Sequence, residues 1–166
     1  MKRTFIIIFF LILIILLQSS NIIETIKIGN IKPNLVLIYL IFISLNSTEV
    51  FSINLGFWSG ILMDILSQTI IGINSLCYTL LSYILNSLKT KVYSEKAISA
   101  LIITFIVSII FYILFFSLIY IFSERINFQN ALIKIVLPVS VYNSILSIPL
   151  FSIFNSLFVK KLWQKR

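Results

Sequence analysis

The sequence predicts an all-α protein: a polytopic bundle of six transmembrane helices, one domain over residues 1–166, with both ends cytoplasmic. Three observations predict it. Apolar residues make up 60% of the 166-residue chain and charged residues 11%, where soluble domains run at roughly 45–50% and about 25%; mean hydropathy is +1.11. A chain this short has too little interior to hide so much apolar surface from water, so the expected solvent is a bilayer and the expected surroundings are membrane lipids. The apolar residues fall into six runs, and the basic residues collect at the ends of those runs. That is the signature of membrane topology; a nucleic-acid surface would group its Lys and Arg on one polar face, and no nucleic acid is expected as a partner.

The runs are Thr4–Leu17, Leu35–Leu45, Val50–Ser67, Ile71–Leu88, Ile98–Phe122 and Ala131–Val159. A helical span needs about 20 residues, so the last two pass easily and the second is short. The 33 residues Leu35–Ser67 would form a helix of about 50 Å, too long for one crossing of a core about 30 Å thick. Asn46-Ser47-Thr48-Glu49 reads as the turn that divides it, because these side chains compete for backbone hydrogen bonds. Pro33 suits the first turn of the second span.

Charge sets the orientation. With the start of the chain cytoplasmic, the inner segments 1–3, 46–49, 89–97 and 160–166 hold nine basic residues: Lys2, Arg3, Lys89, Lys91, Lys96, Lys160, Lys161, Lys165 and Arg166. The outer side holds four: Lys27, Lys32, Arg125 and Lys134. This excess agrees with the positive-inside rule. Trp163 beside Lys160-Lys161 fits an interfacial anchor. The first run also looks like a signal peptide, but its small-residue cleavage pattern is weak, and it is read as a retained span.

Catalysis finds little to work with. The chain has no histidine, one cysteine (Cys77) and one aspartate (Asp64). His-dependent nucleophiles and His-ligated metals are therefore excluded, and so is an aspartyl dyad. No enzyme activity, metal or cofactor is expected. The polar pattern that does emerge is Ser52, Gly56, Gly60 and Asp64, four residues apart on one helical face. Small residues at this interval let another helix approach closely, either a neighbouring span or a partner's helix. A carboxyl group at membrane depth is costly, and three readings of Asp64 stand open: a protonated acid, a pair with Lys134 at similar depth, or a partly wet position near the interface. The last run carries Lys134, Tyr142 and Asn143 as a candidate polar core, with Pro138 and Pro149 expected to break its hydrogen-bond ladder. Ser75, Tyr78, Ser82 and Asn86 share one face of the fourth run, and Thr104, Ser108 and Tyr112 one face of the fifth; both read as polar glue between helices.

Gly56-Phe57-Trp58-Ser59-Gly60-Ile61-Leu62-Met63-Asp64-Ile65-Leu66-Ser67, followed by Ile71-Gly72-Ile73-Asn74-Ser75-Leu76, resembles the rod-shape-determining MreD family. That family shows a glycine-spaced helix ending in an aspartate, then a short turn and a glycine-led helix. Lys32-Pro33-Asn34-Leu35 is similar to the family's Pro-Asp start of the second span, with Asn34 replacing the acid, and Tyr142-Asn143 with Pro149 is similar to its last span. Ile71 stands where the family often has proline. The resemblance implies a non-enzymatic component of the bacterial cell-elongation machinery in the cytoplasmic (inner) membrane. Implied partners are MreC, the actin-like MreB, the glycosyltransferase RodA and its transpeptidase partner. The family's fold is similar to the substrate-binding subunit of energy-coupling-factor vitamin transporters, which supplies the alternative function. Those subunits dock through an Ala-x-x-x-Ala pattern in the first span, and Thr4–Leu17 contains no alanine.

Overall fold

The computed structural model describes residues 2–20, 22–29, 31–68, 70–88, 97–123 and 132–157. Among them the secondary structure is helical, without a strand. The order is α1 (Lys2–Ser19), a single turn α2 (Ile22–Thr25), α3 (Leu35–Asn46), α4 (Glu49–Leu66), α5 (Ile73–Leu88), α6 (Ala97–Ser123), and a π-helical segment Leu132–Val136 leading into α7 (Leu137–Phe154). Three helices are long and apolar enough to cross a membrane by length and composition: Glu49–Leu66, Ile98–Phe122 and Ile133–Leu157. Thr4–Ser19 and Leu35–Asn46 are shorter apolar helices. Lys89, Lys91, Lys96, Arg125, Lys160, Lys161, Lys165, Arg166 and Trp163, on which the orientation and anchor expectations rest, lie outside the described residues.

The short second run has a physical explanation. α3 is about 18 Å long, too short to cross the hydrocarbon alone. Its side chains meet other helices rather than lipid, because Val36–Leu45 are buried without interruption. A helix apolar all round belongs inside, and here the other helices surround it. Tyr39 meets Phe154 edge-on at 5.1 Å and Phe42 meets Phe151 at 5.3 Å, tying α3 to α7. The Tyr39 hydroxyl donates to the Ile7 carbonyl on α1 at 2.9 Å. The chain leaves α3 through extended Ser47 and starts α4 at Glu49, the turn predicted from Asn46–Glu49. Many large apolar side chains of the other helices point outward, among them Phe5 on α1, Ile98, Ile102 and Ile106 on α6, and Ile145 on α7. A soluble protein avoids such a perimeter; lipid favours it.

α4 and α5 form the most intimate pair. A Cβ on Gly60 would lie 2.2 Å from Ser75 Cα and 2.4 Å from Ser75 N, and one on Gly56 would lie 2.8 Å from the Tyr78 carbonyl oxygen. The helices thus touch backbone to backbone, as small-residue stripes allow. Of the two prolines expected to break the ladder, Pro138 follows directly on the π-helical segment Leu132–Val136, where the α-helical pattern gives way; Pro149 is interior to α7, which continues to Phe154, and proline has no N–H to add to the ladder at either position.

Candidate functional site: buried polar junctions

Polar side chains from different helices meet at three buried junctions. The first surrounds Asp64, at the end of α4. Asp64 is 1% exposed. Its Oδ2 accepts from Gly72 N at 2.8 Å and Ser75 N at 3.4 Å, and its Oδ1 accepts from Asn74 N at 3.1 Å and Asn74 Nδ2 at 2.8 Å. These main-chain N–H groups are the orphan donors at the start of α5. Gly72 holds the cap position with φ +107°, a conformation that glycine adopts freely, but it has no side chain to cap the helix. Asp64 supplies the cap from the neighbouring helix, and a carboxyl group also suits the positive end of the α5 dipole. The expectations of a partly wet Asp64 and of a pair with Lys134 are both corrected: the group is buried among N–H donors, and Lys134 stands exposed on the π-helical segment.

The second junction closes the start of α3. Asn34 caps the helix, its Oδ1 accepting from Leu37 N at 2.9 Å. Asn34 N donates to Asn143 Oδ1 on α7 at 2.8 Å, and Leu35 N donates to Gln18 Oε1 on α1 at 2.8 Å. Gln18 returns its amide to the Pro33 carbonyl at 2.9 Å. Tyr78 on α5 pairs with the Asn34 amide, and Asn143 Nδ2 donates to Ser108 Oγ on α6 at 3.2 Å. Five helices therefore meet at the buried start of a short helix, and the donors of that end are satisfied by side chains rather than water. The third junction lies at the other end of α3. Asn86 Nδ2 reaches the carbonyls of Ser44 and Ser47, both at 3.0 Å, and Ser52 Oγ at 3.2 Å, while Ser47 and Ser52 hydroxyls meet at 2.8 Å.

The stripe Ser52, Gly56, Gly60 and Asp64 thus faces α5 along its whole length, with a polar contact at each end. Of the candidate polar core, Asn143 is fully buried, Tyr142 donates from the surface to the Ile26 carbonyl, and Lys134 takes no part. Sequence reading overlooked Gln18 and Asn74 and gave Asn34 no role of its own. An asparagine directly before an apolar run is an N-cap signal and marks Asn34. Gln18 and Asn74 act across the fold and carry no local signal. Outside the bundle, Glu24 pairs with Lys27 at 2.8 Å and with Lys32. Hydrogen bonds from Lys27, then Lys32, hold its carboxyl down at about 2. Among the described residues no three His, Cys, Asp or Glu side chains converge.

Fold and junctions together define a class: a helical membrane protein whose buried polar groups bind helix to helix. A family model described as rod shape-determining protein MreD matches residues 1–161, and the chain belongs to that family. It is accordingly a bacterial membrane protein of the rod-shape-determining system. No curated protein and no solved structure matches it.

Proposed function

We propose that this chain is a non-enzymatic, multi-pass component of the bacterial inner membrane that supports rod shape and peptidoglycan synthesis by scaffolding partner membrane proteins. The partners in this reading are MreC, MreB, RodA and its transpeptidase. The six segments built on α1 and α3–α7 cross as one domain, α3 together with the residues that flank it, and both ends are cytoplasmic. The observation that carries the reading is the family match over residues 1–161. The junctions support it, since Asp64, Asn34, Asn143 and Asn86 are engaged in fixing helices to one another and a scaffold needs a rigid body. In this reading the Ser52–Asp64 stripe and Asn143 are internal fasteners that hold the partner-facing surfaces in place. The test is controlled depletion of the protein in its host. Cells should widen and round up, and affinity purification of a functional tagged copy should recover MreC and RodA. Cells that keep their rod shape, but lose uptake of a vitamin, would overturn the proposal in favour of the transporter-subunit reading.

A further inference from the structure

One face of α4 carries groups that lipid cannot satisfy. Opposite its buried line of Ser52, Gly56 and Gly60 runs an exposed line of Val50, Asn54, Trp58 and Ile65. Trp58 is 60% exposed at the middle of the 18-residue helix, far from the membrane–water interface that tryptophan prefers. Asn54 lies about 8 Å inside the helix start. Its amide nitrogen donates to the Val50 carbonyl at 2.7 Å, while its Oδ1 accepts no hydrogen bond among the described residues. An amide on a lipid-facing surface is costly unless a second helix completes its hydrogen bonds.

We propose that this face joins two copies of the chain, α4 against α4, about a two-fold axis along the membrane normal. The inference needs α4 to be a membrane span and does not depend on the scaffolding role. Copies in one bilayer share an orientation, so such an axis sets Asn54 opposite Asn54 at equal depth. Asparagine carries both donor and acceptor, so each amide donates to the other's Oδ1 in a self-complementary contact. The same symmetry brings opposite flanks of the two helices together. At 3.6 residues per turn, Trp58 lies on one side of the Asn54 line and Phe57 on the other. Beside Phe57 an open apolar groove of about 570 Å³ runs between α4 and α5, lined by Ile53, Leu76, Thr79, Leu80 and Tyr83 among others. Each Trp58 therefore enters the groove of the other copy. Thr79 donates its own proton to the Ser75 carbonyl and keeps a lone pair for the indole N–H. An unrelated helix would have to bring both a polar group at this depth and a bulky side chain at the groove; a second copy brings both by symmetry.

Oxidative cross-linking in native membranes tests the proposal. Asn54→Cys should give a disulfide dimer of the full chain. Ile102→Cys, on the exposed face of α6, should not, and the native Cys77 is buried. In vesicles of phosphatidylethanolamine and phosphatidylglycerol, single-molecule counting should find the wild type dimeric. Asn54→Leu with Trp58→Ala should require about tenfold more protein per lipid for the same dimer fraction, at unchanged helicity. The proposal is overturned if Asn54→Cys cross-links no better than Ile102→Cys, if it cross-links to a different protein, or if the double variant dimerises like the wild type.

Discussion

Gly60 has no room for a methyl group, because the added atom would lie 2.2 Å from the α5 backbone and backbone cannot swing aside as a side chain can. Gly60→Ala should therefore part α4 from α5 at a cost of about 1–3 kcal/mol, read as a lower melting temperature in mild detergent and a lower level in the membrane. An unchanged melting temperature would mean that the helices do not approach so closely. Asp64 makes a different demand. Its two acceptor oxygens take N–H donors from Gly72, Asn74 and Ser75, whereas asparagine offers one oxygen and turns its own NH2 toward the rest. Asp64→Asn should cost about 1–3 kcal/mol for the donors left unpaired, and rod shape should fail in step with the level of folded protein. Shape lost at full level and full thermal stability would reveal a second task for the carboxyl group.

At the scale of elements, α3 poses the problem of a helix whose first turn is buried. Asn34 caps it and also pairs with Tyr78. Aspartate caps as well as asparagine does, and the Tyr78 hydroxyl can rotate to donate to it. Asn34→Asp, which restores the acid of the family pattern, should leave thermal stability nearly unchanged. Asn34→Ala should lower it by about 1–2 kcal/mol through the lost cap. Equal effects of the two substitutions would argue against capping. The segment between α1 and α3 carries its own fastener in Glu24, whose carboxyl is held from an ordinary 4.5 down to about 2 by Lys27 and Lys32. An acid held low adds stability above its ordinary value and loses it as pH falls through the lowered one. Since the group is exposed, solvent keeps the effect small. An NMR titration of Glu24 should show its midpoint well below 4.5, and a midpoint at the ordinary value would show that the pairs do not persist in solution.

Among the described residues five helices surround the short, buried α3, and the topology of the whole molecule can be tested directly. Reporter fusions after Arg166 should report the cytoplasm, and fusions within residues 124–130 the opposite side. A C-terminus on the outer side would break the six-span proposal. The same arrangement accounts for the shape of the polar network. Hydrogen bonds are strongest where water is absent, and at the two ends of α3 buried asparagines join helices distant in sequence. Asn34 and Asn143 are 109 residues apart, and Asn86 and Ser44 are 42 apart.

What the sequence determined by itself is the solvent and the segmentation. Hydropathy is additive along the chain, so the six apolar runs, the turn at Asn46–Glu49 and the close-packing stripe are all legible in it. Periodicity also placed Ser75, Tyr78, Ser82 and Asn86 on one inward face. Only the tertiary structure decided what the polar residues touch. Whether Asp64 meets water, a lysine or a helix end depends on which helix lies beside it. Hydrogen bonds are short and directional, and no spacing in one segment encodes a partner in another. The burial of α3 was hidden for the same reason: a run too short to span looks like a defect in one dimension and becomes a core when five other helices surround it.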